Sequence, residues 1–587
     1  MKRIIDYLEN HSIILSLILL VWSVIFASVS MTVINGYVPA YDFNFHLARI
    51  VGLAQSFHYG DFLPSLNNIF SWGTGYASNM FYGNWQFYIP AFFYLLTKNT
   101  IIAYGIFGWM LILFDSFSTY FFLSKISKKK WNSFLIALVF PCFFPAYGFG
   151  MTMVVGFVPM LTYALYKVIY EDKTNPFLLA ITIALLIQTH IISTLVLAIA
   201  SMFFLLFNIK RITLRHVISF TLSACLGLLL TSGFIIQYIE QVRSQPFFFT
   251  WKTRNFPVNS DLMFDLKKSF SSGFHPLTNF FDIPLKLLAL HYLFNFKSLK
   301  RPSKAILFLV IAMYLSMTSL LPWKSLLRYT ILGTMQYTER LSYFAPAFLL
   351  MIVTIEANIK FIKSLVVGVL VVYFFNIVQV TGVANGEENQ RRINDNNRKM
   401  SVVYDNPTSE FVNPIGNEYY TIDFDHVAVK DHHFLDVSNE KNVLVNSIRY
   451  GYNKVELSYE IIDPAEPASF VIPRIYYKGY RAKYSDGASG SQPILEKRQK
   501  TAKEKKLAEK LGMPKTDEKI LNNGKIYLKL FKSGKVLVEY KKTPLQKIGY
   551  LIEFLSWIII LGRLVAIKVK DRKDEADTRE QDLQRSY

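Results

Sequence analysis

Runs of about 20 mostly apolar residues recur along this chain from near its N-terminus to about residue 384, and one more lies close to the C-terminus. Each is long enough to cross a hydrocarbon core of roughly 30 Å as a helix. A chain in such a solvent must satisfy its own backbone hydrogen bonds, and helices of this length do so within each segment. The residue balance agrees, with 52% hydrophobic and 18% charged residues. The first run, 11–33, follows Lys2 and Arg3 and reads as an uncleaved span, being longer than an ordinary signal-peptide core and lacking a small-x-small cleavage site. The only two cysteines, Cys142 and Cys225, fall inside expected spans, which excludes a disulfide scaffold, a CxxC redox pair and a cysteine zinc site. The formal charge of +21 is read as cationic loops resting on anionic lipid headgroups rather than as a nucleic-acid surface.

Short loops rich in Lys and Arg remain cytoplasmic, and four of them set the orientation: 124–130 (SKISKKK), 210–215 (KRITLR), 297–304 (KSLKRPSK) and the tail from Lys568 (KVKDRKDE). About 12 spans satisfy them, near 11–33, 100–124, 131–149, 152–170, 176–189, 190–208, 216–239, 281–296, 303–321, 341–357, 361–384 and 547–567. Both termini are then cytoplasmic. The stretch 175–208 is too long for one span and short for two, so Gln188, Thr189 and His190 are expected to form a tight outer turn.

The fold class expected is a polytopic α-helical membrane protein with a C-terminal extracytoplasmic β-rich domain. Its parts are a multi-span core over 1–384, with a long first outer loop at 35–99, the β-rich domain over 385–546, and a last helix with a charged cytoplasmic tail over 547–587. A further outward segment is expected over 240–280. Alternating runs at 443–445, 449–452, 454–461 and 470–477 read as strands, and FKSGK (531–535) between IYLKL and VLVEY reads as a hairpin turn. The charged stretch 496–519 reads as a solvated helix inserted at an edge. No internal repeat is evident, so an inverted-repeat transporter gains no support.

The first outer loop opens with YDFNFHLARI (41–50). As a helix it puts Asp42, His46 and Arg49 on one stripe, and Phe43, Leu47 and Ile50 on another that would rest on the membrane interface. An acid, an imidazole and a cation on one face suit a base beside a phosphate-binding pair. The alternative for Asp42 is a helix N-cap, and for His46 and Arg49 an interfacial polar role. The stretch 73–90 (GTGYASNMFYGNWQFYIP) sets Tyr76, Tyr82 and Trp85 among small residues, where aromatic faces serve sugar CH groups or anchor at headgroup level. His190 is either a phosphate partner or a turn histidine bonded to backbone. Arg340, in MQYTERLSYFA (335–345), either forks onto a phosphate or forms an interfacial charge cluster with Glu339.

Asp42 with His46, Gly75-Tyr76 followed by Phe81-Tyr82 and Pro90, Thr189-His190 in a broken apolar pair, Gln336 with Arg340-Leu341, and 475–482 (IYYKGYRA) followed by Ser485-Asp486-Gly487 resemble the bacterial YfhO-like, or "6-pyruvoyl-tetrahydropterin synthase-related", membrane proteins. The resemblance runs from about Val38 to the last helix. It departs at Tyr337-Thr338-Glu339, where a Phe-Pro-aromatic run is expected, and at Tyr480, which replaces a tryptophan. It implies a GT-C type glycosyltransferase. Such an enzyme takes sugar from a polyprenyl-phosphate donor to an envelope glycopolymer or glycolipid such as lipoteichoic acid, at the outer face of a bacterial cytoplasmic membrane. Asp42 is the implied catalytic base. The phosphate partners are then His46, Arg49, His190 and Arg340, and the sugar or acceptor contacts Tyr76, Tyr82 and Trp85. No particular cofactor is implied; a divalent metal is left open, although Asp42-Phe43-Asn44 offers a single carboxylate. A flippase for a lipid-linked precursor, for which Asp115 is the one acid well inside a span, and a non-catalytic envelope scaffold are the alternative functions.

Overall fold

The computed structural model describes residues 7–33, 42–144, 150–249, 279–335, 337–384, 387–414, 418–425, 429, 435–511, 513 and 516–585. Most of the expected outward segment 240–280 and Gln336 lie outside these. The chain is mostly helical, with a β-rich region towards the C-terminus. Among the described residues five helices are long and apolar enough to cross a membrane, or six if one bent pair counts as a single span. Each of the twelve apolar segments is helical over most of its described part, with breaks such as that at 317–321. Several are shorter than a full crossing, among them Phe177–Thr189 and Ile191–Phe207.

Local chemistry fixes several boundaries. Asn99 caps Thr100–Ser127, its side-chain oxygen accepting the amides of Ile101 at 2.9 Å and Ile102 at 3.2 Å. That helix ends at Lys128, which takes the left-handed conformation. The apolar pair around 175–208 breaks at His190, whose backbone is extended. Its ring takes over as cap of the next helix by accepting the Ser193 amide at 3.2 Å.

The segment expected as one span over 216–239 is instead two helices, Leu214–Leu229 and Ser232–Ser244, bent by 72°. Such a break frees backbone groups that need partners inside the protein, and the last helix, Pro544–Arg585, supplies them. Trp557 donates its indole N–H to the Leu230 carbonyl at 3.1 Å. The Glu553 carboxylate accepts the Gly233 amide at 2.9 Å and the Gln188 side chain at 2.5 Å. Ser232 Oγ donates to the Gly549 carbonyl at 2.8 Å.

The β-rich region is built from antiparallel strands. One sheet runs in the order β1 (Asp436–Ser438), β4 (Ala468–Ile475), β10 (Lys525–Lys532), β6 (Ser489–Gly490), with β7 (Ile494–Leu495) also paired to β10. The other runs β2 (Val443–Gly451), β3 (Lys454–Ile461), β11 (Gly534–Tyr540), β5 (Tyr480–Ser485). Alternate residues of β3, from Val455 to Ile461, point inward. Tyr459 of one sheet meets Phe470 of the other at 5.5 Å between ring centres, so the two sheets pack face to face. The expected helix within 496–519 is shorter, Ala502–Lys510, with a complete capping box at Thr501 and Glu504. It is bracketed by the small β8–β9 pair, Lys497–Gln499 with Glu518–Ile520.

This sandwich shares its hydrophobic core with the first outer loop. Helix Phe43–His58 and residues of 66–81 pack in one cluster with Leu457, Phe470, Ile526 and Val538. The apolar stripe of Phe43, Leu47 and Ile50 therefore does not rest on a membrane interface. From Phe45 to Ser56 every residue of that helix is buried, including the stripe that carries His46 and Arg49. Helices Tyr88–Thr97, Thr100–Ser127 and Glu387–Asp405 cover this helix on the sides that periodicity alone leaves open.

The clasp at the bent helix is testable by thermal unfolding in detergent. Glu553→Ala leaves the Gly233 amide and the Gln188 amide without their acceptor, with an expected loss of about 2 kcal/mol. Glu553→Gln, which keeps one oxygen acceptor, is expected to lose less. Equal stability of both variants with the parent would contradict the assignment.

Candidate functional site

Helix Phe43–His58 begins at Asp42, and the side chain of that residue makes no capping bond to the helix amides. The capping role is thus unfilled, and the carboxylate sits half-buried at the helix start. Burial raises its pKa above the ordinary carboxylate range, and the nearby Arg340 charge acts in the opposite direction. Asp42 and Arg340, nearly 300 positions apart, are brought within electrostatic range of each other.

One turn on, His46 is fully buried against Phe45, Tyr82 and Phe87. Burial, with the charges of Arg49 and His190, holds its pKa well below the usual imidazole range, so the ring is neutral. Its Nδ1 faces the Arg49 guanidinium at 3.4 Å. A guanidinium only donates, so Nδ1 accepts and the proton resides on Nε2.

Arg49 was expected to meet phosphate; the structure places it underneath. Only 1% of it is exposed. One arm of the fork donates to the Gly83 carbonyl at 2.6 Å and to Asn84 Oδ1 at 3.0 Å. The guanidinium lies 4.5 Å from the Tyr82 ring centre and 4.4 Å from that of Phe87. Burial pushes its pKa down to about 10, which leaves it charged at neutral pH. One arm is thus engaged with the 82–87 loop and the other with His46, while Nε is buried without a hydrogen-bond partner, so Arg49 acts as a strut beneath the site. The loop in turn abuts the broken helix pair, because a side chain at Gly83 would begin 1.3 Å from the Gln188 carbonyl oxygen. Glycine is the one residue that fits this approach.

Tyr82, held by Arg49 from below, lies 5.3 Å from the His190 ring. His190 accepts at Nδ1 from the Ser193 amide, so its neutral form carries the proton on Nε2. Tyr82 Oη and His190 Nε2 converge on Gly150, where an added methyl group would lie 2.7 Å from the first and 3.2 Å from the second. The turn-histidine role and a site role for His190 thus coexist on its two nitrogens.

Of the aromatic contacts expected, Trp85 stands at the rim, 37% exposed, with its indole N–H bonded to Thr189 Oγ1 at 2.9 Å. Tyr76 is a correction. It has no exposed surface, pairs through its backbone with Asn67, and packs against Phe70 and Tyr420. It belongs to the core.

Sequence reasoning missed Gly83 and Gly150, whose role is the space that they leave, and Glu418, whose charge reaches Arg340 and Tyr82. Glu418 is held there by backbone pairing, its carbonyl accepting from Phe249 at 2.9 Å. Among the described residues no group of three His, Cys, Asp or Glu side chains forms that could hold a metal ion. Compared with known proteins, the chain matches no family model and no curated protein.

Arg49→Lys tests the strut. A lysine cannot fork onto Gly83 and Asn84 while stacking on two rings, and an unfolding free energy lower by about 2 to 3 kcal/mol is expected from denaturant titration in micelles. A loss under about 0.5 kcal/mol, the size of a surface substitution, would contradict it.

Proposed function

We propose that the chain is a polytopic membrane glycosyltransferase of the GT-C type, with about 12 spans, cytoplasmic termini and its site on the outer face of a bacterial cytoplasmic membrane. It transfers sugar from a polyprenyl-phosphate donor to an envelope glycopolymer or glycolipid such as lipoteichoic acid. The observation that carries this reading is the half-open carboxylate of Asp42 within electrostatic range of Arg340 and Tyr82, with the Tyr82 hydroxyl and a neutral histidine N–H converging on one glycine.

The chemistry follows from those groups. Asp42 takes the proton of the acceptor hydroxyl as its oxygen bonds to the anomeric carbon, with inversion. The bond from that carbon to the phosphate oxygen breaks, and the electron pair leaves with the lipid phosphate. Arg340 offers positive charge to the departing phosphate, with His190 Nε2–H and Tyr82 Oη as further donors. A carboxylate with a pKa raised by burial is a stronger base than a solvated one, which suits the first step. Trp85 at the rim offers an aromatic face to a sugar ring. His46 and Arg49 hold this arrangement from beneath.

The flippase reading relied on Asp115 as a transport acid. Asp115 instead accepts the backbone N–H of Gly156, while Ser118, one turn away, bonds the Gly156 carbonyl. The two side chains hold the two backbone groups of Gly156, at the start of helix Phe157–Glu171, which favours a structural role for this acid.

Asp42→Asn is expected to abolish transfer from polyprenyl-phosphate sugar by the purified protein. Its thermal stability at neutral pH should be kept or raised. An acid with a raised folded pKa is destabilising once ionised, and the amide removes that charge. Undiminished transfer in this variant would remove the catalytic assignment. The pH profile supplies a second check. The active base is the ionised form, so the acid limb of kcat/KM should lie above the ordinary carboxylate range. In Arg340→Gln the limb should move to still higher pH, because the cation that favours the charged form is gone. A limb that stays put or moves down would contradict the Asp42–Arg340 pairing.

A further inference from the structure

Helix Ala502–Lys510, carried on the β8–β9 pair at an edge of the sandwich, contributes no buried residue to any core. Its two sides differ. On one, Glu504 accepts from Arg498 at 2.6 Å and from Lys519 at 3.2 Å, and Lys505 meets Asp517 at 2.7 Å, so this side is held to β8, β9 and the turn between helix and β9. The Ile520 amide donates to Asp423 Oδ2 at 2.9 Å, which ties the base of the pair to the segment 418–425. On the other side, Lys503, Lys506, Leu507, Lys510 and Leu511 fall on one stripe at helical spacing. Leu507 and Leu511 are 55% and 52% exposed. The three lysines are exposed as well, and among the described residues none of them is ion-paired, in contrast to Lys505.

We propose that this stripe rests on the anionic phospholipid headgroups of the leaflet that the sandwich faces, so that the β8–β9 finger anchors the sandwich to the membrane surface. The inference goes beyond the transferase reading and holds whichever reaction the site performs. Three observations choose the occupant. The first is position. β11 ends at Tyr540 and leads directly into the last helix, so the Tyr540 end of the sandwich is its membrane-proximal end. Tyr480 of β5 pairs with Tyr540 there, and Ile475, just upstream at the end of β4, donates its amide to the Thr74 carbonyl of the outer loop at 2.9 Å. Lys525, at the start of β10, pairs with Ile475. β7 runs antiparallel to β10, with Ile494 opposite Tyr527 and Leu495 opposite Ile526, so the chain after Leu495 leaves the sheet at that same end. From Leu495 to Gln499 it extends about 13 Å further before the helix begins.

The second is chemistry. A helix bathed only in water has no use for two neighbouring exposed leucines, and an anionic polymer would need only the lysines. Leucines flanked by lysines suit the boundary between headgroups and acyl chains, where the apolar side chains enter and the ammonium groups reach phosphate. The third is charge. Each lysine near an anionic surface is attracted to it, and no acid on the stripe opposes this. Glu504 is engaged with Arg498 and Lys519, and Glu509 lies on the flank away from the leucines.

Leu511→Cys carrying an environment-sensitive fluorophore, in a Cys225→Ser background of the full-length protein, reads the contact in vesicles. Nitroxide on lipid headgroups quenches a docked label, and aqueous iodide quenches a free one. In vesicles of phosphatidylcholine with phosphatidylglycerol, headgroup quenching and protection from iodide are expected; in phosphatidylcholine alone, iodide access. Lys506→Gln should lower the docked-to-free ratio about fivefold, the attraction of one cation to an anionic surface, with an unchanged unfolding temperature. Added salt should lower it in the same direction. Leu507→Cys, labelled in the same way, serves should Leu511→Cys fail to fold. Iodide access in anionic vesicles equal to that in neutral ones, or docking unchanged by Lys506→Gln, would overturn the proposal. So would protection that needs added poly(glycerol phosphate) and is absent with anionic lipid alone, which would assign the stripe to an anionic polymer. No arm of the experiment uses a sugar donor, so failure of the membrane contact and failure of the transferase reading are scored apart.

Discussion

A guanidinium removed from water governs the arrangement of the candidate site. Isolated in an apolar interior, the charge of Arg49 would cost several kcal/mol. The protein offsets this with a backbone carbonyl, an amide oxygen and the faces of two aromatic rings. Those partners all belong to the loop 82–87. Satisfying one buried cation on helix Phe43–His58 therefore fixes where that loop lies. Tyr82 is oriented as a consequence, and Gly83 is pressed against the Gln188 carbonyl just ahead of the helix break at His190. The hydroxyl and the imidazole owe their common location to a buried arginine.

The same physics ties the C-terminal parts of the chain to the site. Gln188 bonds to Glu553 on the last helix, and Glu553 also closes the open end of the bent pair at Gly233. On the far side of that half-helix, Glu240 is buried and accepts from Thr543 and Gln546, both at 2.8 Å. These contacts begin directly after β11, so the sandwich and the broken helix are held through one short stretch of chain. The sandwich also shares a core with helix Phe43–His58. On the transferase reading, it braces the outer loop through Ile475 on Thr74 and Tyr477 on Ala77. Through Glu418, the chain leading into it brings a second acid within reach of Arg340.

The apolar runs could be read because their length and position depend on hydropathy alone, as with Thr100–Ser127 and Ile359–Ala384. The strands were legible from their alternation, Lys454–Ile461 above all. Helix Phe43–His58 was legible as a helix but not in its burial, because a polar stripe looks the same whether it meets water or a folded domain from the other end of the chain. Tyr76 was misplaced for that reason, since it packs on Tyr420, whereas Arg49 is buried by Tyr82 and Phe87 of its own outer loop. The 72° bend after Leu229 left no signature, since Thr231 and Ser232 are unremarkable in an apolar run. Gly150 acts by what it lacks, and nothing in a single sequence separates it from a packing glycine. The break at Thr189-His190 could be read, because a histidine between two short apolar segments needs a polar partner.

The central claim is that the Asp42 position opens to the outer side of the membrane and adjoins the phosphate site. Accessibility of Asp42→Cys in a Cys225→Ser background tests this directly, with a membrane-impermeant thiol reagent added to intact, right-side-out vesicles. The account expects modification from outside that is slowed by polyprenyl phosphate. Modification only after the vesicles are opened, or at a rate that the lipid phosphate leaves unchanged, would contradict it.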